Sequence, residues 1–142
     1  MKRMLKLNYE TLELEEIQVP EITLDELQKG VGINGEKALI ERAYVNEFFD
    51  KAKVDVFLDE EGKLKSDLLP SSVLIDRNGS IMDVYFGNLL FVGNNTRGGS
   101  VGLTDKQIEK VKAWTSSKRE IIMRRQSDGE VLRKAVVILL HF

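Results

Sequence analysis

The chain has 142 residues, 42% hydrophobic and 31% charged, with a formal net charge of −2. That length suits a single domain able to bury a core without metal or disulfide support, and the charge supplies no overall basic field to attract nucleic acid. Cysteine is absent and His141 is the only histidine, which removes thiol nucleophiles, thiolate metal sites, disulfides, His-based triads and multi-histidine metal centres together.

The opening MKRMLKLNYE lacks the long apolar core of a signal peptide. RMLKLNY and TLELEEIQV alternate apolar and polar residues, as half-buried strands do. In the second of these, Leu12 and Leu14 are out of phase with Ile17 and Val19, which predicts a bulge near Glu15–Glu16. Pro20 closes the strand. TLDELQKGVG predicts a helix, with Thr23 and Glu26 at capping-box spacing and Leu24, Leu27 and Val31 on one face. Gly30 and Gly32 are expected to end it in a left-handed turn. ALIERAYV, within residues 36–52, fits either a helix or a strand.

VDVFL-DEEG-KLKS predicts a strand, a turn and a short return strand. SVLID-RNG-SIMDVYF predicts a hairpin, because Asn78–Gly79 is a favoured turn pair. DEEG and DRNGS lack the alternating ligands and closing glutamate of a calcium loop, so both read as turns. After Gly87 the strand NLLFVG leads into a loop over Asn94–Gly102. Thr104 and Gln107 form a second capping box opening the helix TDKQIEKVKAWTSSK. The tail predicts a hairpin turning at Asp128–Gly129 and ending in AVVILL, Ala135–Leu140, which is far too short to span a bilayer. The expected fold class is α+β: a mostly antiparallel twisted sheet, two short helices packed on one face, and a C-terminal hairpin or strand.

Two features invite a functional reading. Gly93–Ser100 has the Gly-x4-Gly spacing of a phosphate loop, but Gly99 stands where the lysine belongs. A nucleotide-hydrolysing loop is therefore not expected. What remains is an anion or small-ligand site, with glycine-permitted amides, Arg97, and the polar Asn94, Asn95, Thr96, Gly98, Gly99, Ser100 and Thr104. A plain strand-to-helix connection explains the same composition. The second feature is charge segregation. Residues 10–28 carry seven acids and no base, whereas residues 117–134 carry six bases against three acids. These two stretches would attract each other within a chain or between copies, or offer Glu13, Glu15 and Glu16 to a partner. No metal, cofactor or catalytic set is expected.

Four segments, LDELQKGVG (24–32), VFLDEEGKLKSDLLP (56–70), IDRNGSIMDVYFGNLLFVG (75–93) and GLTDKQIEKVK (102–112), together resemble the domain of unknown function 3846 family, small proteins of bacteriophages and mobile elements. The resemblance covers residues 3–115 of one domain and leaves 116–142 as an extension, a candidate oligomer interface. It implies a strand at ALIERAYV and a bacterial cytoplasmic setting, and it carries over no catalytic residues. The chain departs from it with Ser71–Ser72 in place of a Pro-x-Asn step, and with a longer Gly/Asn-rich loop after Gly93. The expectation is a non-enzymatic accessory protein that binds a host protein, with counter-defence as the role. The alternative is capture of a small phosphorylated ligand such as a nucleotide. Homo-oligomerisation through the apolar tail is expected; a membrane role is not, and nucleic acid is disfavoured.

Overall fold

The computed structural model describes residues 1–43, 51–64, 70–76, 78–95, 97–124, 127–129 and 131–141. Strands β1 (Lys2–Leu7) and β2 (Leu14–Val19) form the first hairpin, in unbroken antiparallel register from Lys2↔Val19 to Leu7↔Leu14. The predicted bulge is therefore absent. Leu12 lies before the strand, in a left-handed turn at φ 58. Asn8 holds that turn, its Oδ1 accepting from the Glu10 amide at 2.9 Å and its carbonyl from the Leu12 amide at 2.7 Å. The phase change also reflects burial on both faces of β2. Leu14 packs into one core, Ile17 and Val19 into another.

Helix α1 (Leu24–Val31) begins where its cap predicts, with Thr23 Oγ1 accepting from the Glu26 amide at 3.2 Å. Leu27 and Val31 are buried, while Leu24 stays outside. The glycines at its end serve close approach rather than a left-handed turn. Gly32 is extended, at φ −62, and a Cβ there would lie 1.6 Å from the Glu36 carbonyl oxygen. Gly30 sits against Leu90, whose Cδ2 would be 2.7 Å from an added Cβ.

The ambiguous segment contains strand β3 (Ile40–Arg42), as the family resemblance implies, paired antiparallel with β4 (Val54–Asp59). Tyr44 and Phe48, which a helical reading would place on its apolar face, lie outside the described residues. After β4 the chain enters a 3-10 turn, Gly62–Leu64, rather than an immediate return strand. Strands β5 (Pro70–Ile75) and β6 (Ile81–Phe86) make the Asn78–Gly79 hairpin. Only Gly79 there has positive φ, at 82, so the connection is not the two-residue turn that needs both central residues left-handed. Strand β7 (Leu89–Asn94) follows. The predicted loop beyond it is partly a hairpin, because β8 (Ser100–Val101) pairs back on β7 through Gly93↔Val101 and Asn94↔Ser100. Helix α2 (Asp105–Trp114), β9 (Lys118–Arg124) and β10 (Val131–His141) complete the order.

The strands form two sheets rather than one. The first runs β2-β1-β7-β4-β3 with β8 added to β7; the second runs β6-β5-β10-β9. Among the described residues every pairing is antiparallel except β5 with β10, where Ser72↔Ile138 to Ile75↔His141 run parallel. β7 reads LLFVG because both of its faces are covered. Leu90 and Val92 join Met4, Val19, Leu27 and Val31 beneath α1. Leu89 and Phe91 join Leu5, Leu7, Val54 and Val56 in a larger core that takes Leu74 and Tyr85, then Ile138 and Leu140, from the second sheet, and Ile108 and Val111 from α2. Helices α1 and α2 thus serve opposite faces of the first sheet, not one face as expected.

Half of the apolar tail is spent inside the chain, while Val136 stays exposed. Val137, Ile138 and Leu140 are fully buried, and β10 lies between β5 and β9. The buried residues of the tail are thus covered within the chain itself.

Candidate functional site

The Gly/Asn-rich segment folds around one side chain. Asn95 Oδ1 accepts from the amides of Arg97 at 2.9 Å and Gly99 at 2.8 Å. The Asn95 carbonyl accepts from the Gly98 amide at 3.1 Å, and the Asn95 amide donates to the Gly99 carbonyl at 2.9 Å. Gly98 supplies the left-handed residue, at φ 80. Gly99 lies so close to Asn95 that a Cβ would meet its Nδ2 at 2.9 Å. The amides that an anion would need are thus already bonded to Asn95. Thr96 lies outside the described residues.

The same turn occurs once more. Asp76 Oδ1 accepts from the amides of Asn78 and Ser80, both at 2.9 Å, while Gly79 takes the left-handed position. Two hairpins thus share an Asx side chain followed three residues later by glycine. That recurrence explains the glycine spacing after Gly93 by turn chemistry.

The remaining candidates of this loop are dispersed. Asn94 Nδ2 donates to Asp55 Oδ1 at 3.1 Å, across β7 and β4. Thr104 is spent on α2: its hydroxyl accepts from the Gln107 amide at 3.2 Å, and its own amide donates to Gln107 Oε1 at 2.9 Å. Gln107 Nε2 also donates to the carbonyls of Ala52 and Lys53, each at 3.0 Å, so the cap fastens the helix to the start of β4. Arg97 and Ser100 keep their places at the hairpin tip, Arg97 exposed and Ser100 half-buried.

Asp55 was not legible as a special residue. It is an acid within the apolar strand VDVFLD, only 3% exposed. Arg42 NH1 approaches it at 3.8 Å from β3. Asp55, Asn94 and Arg42 therefore tie three strands together. An acid at an apolar-strand position was the available signal. The chemistry that it supports is register-holding: a carboxylate with an amide donor on one side and a guanidinium on the other. Among the described residues no three His, Cys, Asp or Glu side chains converge as a metal-ligand set.

The acidic residues have a different setting. Glu13 precedes β2 and Glu15 and Glu16 lie on it, all exposed, and β2 is the outer strand of the first sheet. Glu15 Oε1 accepts from Asn8 Nδ2 at 3.3 Å and Glu16 Oε2 from Gln18 Nε2 at 3.0 Å. Arg3 NH1 stands 4.0 Å from Glu16 but only 2.7 Å from Asp105. Asp25, farther along the acidic run, is held below the usual carboxylate range by hydrogen bonds from Lys37 and Lys29. The run is thus divided: Lys37 and Lys29 neutralise Asp25 of α1, and β2 keeps its glutamates turned to solvent.

The domain of unknown function 3846 family (DUF3846) matches residues 2–116. The chain belongs to that family. Neither a curated protein nor a solved structure matches it. The DUF3846 match ends two residues before β9, so β9 and β10 both lie beyond it. β10 nevertheless fills the position beside β5 and contributes Ile138 and Leu140 to the larger core. In this DUF3846 protein the segment after the match is thus part of the folded body. No helix among the described residues is long and apolar enough to cross a membrane.

Proposed function

We propose that this DUF3846 protein is a non-enzymatic accessory protein of phage or mobile-element origin that binds a host protein stoichiometrically, in counter-defence. The observation that carries the reading is the β2 edge. It combines an outer side unpaired among the described residues with exposed Glu15 and Glu16 on a bulge-free strand and exposed Glu13 just before it. Such an edge offers main-chain hydrogen bonds to an extended segment, and its charge selects a basic one. The competing small-ligand reading loses support from the engagement of the Arg97 and Gly99 amides by Asn95.

The test is a pull-down from bacterial host lysate with the unmutated protein and with a Glu13→Lys, Glu15→Lys, Glu16→Lys variant of confirmed fold. One host protein is expected at defined stoichiometry with the first and is expected to be lost with the second. Retention of no host protein, or equal retention by both, overturns the reading.

A further inference from the structure

Among the described residues five strand edges bound the two sheets and the β8 addition, and three are blunted. β3 has three residues and β8 two, too short to template a partner. β6 meets β5 with register breaks at Pro70/Ser72 and Leu74/Ile75, so its line of main-chain groups is kinked. Two long regular edges remain. β2 pairs with β1 without interruption over six residues. β9 pairs with β10 without interruption from Lys118 to Met123.

These two edges carry opposite charge. β2 presents the adjacent Glu15 and Glu16; β9 presents the adjacent Lys118 and Arg119, followed by a single acid, Glu120; all five are exposed. Neighbouring residues on a strand point to opposite sheet faces. Setting the two pairs side by side therefore places one acid–base contact on each face, whether the strands run parallel or antiparallel. β2 against β2 sets acid on acid, and β9 against β9 sets base on base wherever Lys118 and Arg119 face their own copies. Within one chain the attraction is not used, because among the described residues no ion pair joins the β2 glutamates to the β9 bases.

We propose that the partner of the β9 edge is a second copy of this chain, docked through its β2 edge to continue the second sheet of one copy into the first sheet of the next. The contact is heterologous, so it closes as a ring or extends as a chain, according to the rotation between copies. The inference goes beyond the proposed function and requires no host factor. A host segment and a second copy would compete for β2, so self-association sets how much of that edge is free.

The experiment is sedimentation of the purified full chain over a range of concentration and salt, with two variants whose fold is checked by circular dichroism. One is Glu15→Lys, Glu16→Lys; the other is Lys118→Glu, Arg119→Glu. The unmutated chain is expected to reach a weight-average mass at least about twice that of the monomer at low salt, and to fall back as salt screens the contact. Each variant alone is expected to remain monomeric, since both of its edges then carry one sign. An equimolar mixture of the two is expected to associate again, because each variant's altered edge meets its complement on the other. A monomeric unmutated chain, association that survives either reversal, or a mixture that stays monomeric overturns the proposal. Since no lysate is involved, these outcomes are independent of whether a host protein is captured.

Discussion

Ser72 provides a direct measure of how the larger core tolerates polarity. It lies in β5 between β6 and β10, with Tyr85 and Ile138 as its cross-strand partners, and it shares a face with Leu74. It is fully buried, and its hydroxyl has no hydrogen-bond partner among the described residues. A buried hydroxyl left unpaired costs about 1–3 kcal/mol in lost hydration. Ser72→Ala removes that cost and breaks no hydrogen bond. Against it stands the loss of one heavy atom's packing, at about 0.1–0.2 kcal/mol for each neighbour touched. The expected net effect is a stabilisation of roughly 1 kcal/mol. Urea unfolding should show a higher midpoint with an unchanged slope, the sign of altered stability without altered exposure. Destabilisation by about 1 kcal/mol or more would mean that the hydroxyl is bonded, and would refute the reasoning.

Three further outcomes follow from named contacts. Gly32→Ala should cost about 3 kcal/mol or more, since the new Cβ meets a backbone carbonyl. Gly30→Ala should cost less, because the leucine it meets can shift and alanine favours the helix by about 1 kcal/mol. Thermal unfolding that ranks the two equally would contradict this. Burial, reinforced by the charges of Asp83 and Glu41, pushes the Tyr85 phenol up from 10.0 to about 12. The folded state therefore keeps a proton that the unfolded chain releases, so this contribution is complete below about pH 10 and is lost as pH rises through about 12. Stability titrated over that window should fall by roughly 2 kcal/mol, and Tyr85→Phe should flatten the fall. Asn95→Ala should speed hydrogen exchange at the Arg97 and Gly99 amides at a cost of about 1 kcal/mol; unchanged exchange would show that another group holds the turn.

Local chemistry was readable from the sequence. Thr23 and Thr104 marked the starts of α1 and α2, and Asn78–Gly79 and Asp128–Gly129 marked two hairpins, because caps and turns depend on residues within a few positions. The α+β class followed from the same signals. Non-local pairing was not readable: nothing in AVVILL specifies a parallel neighbour at Ser72–Ile75. The phase change in TLELEEIQV looked like a bulge because one buried face was assumed, whereas Leu14 and Ile17 enter different cores. At the candidate site, the glycine spacing resembled a phosphate loop. The matching Asp76–Gly79 and Asn95–Gly98 spacings were the sequence signal for turns. Asp55 escaped notice because its meaning depends on Asn94 and Arg42, brought near only by strand pairing.

The parallel seating of β10 against β5 bears on how the molecule is made. β5 leaves the ribosome long before its neighbour does, and meanwhile Leu74 and its companions wait without Ile138 and Leu140. Contacts so distant along the chain form late and slowly. A nonsense codon in the β9–β10 turn would thus do more than trim an appendage: it would leave a nascent polypeptide with an uncovered greasy flank, a target for chaperones and proteases.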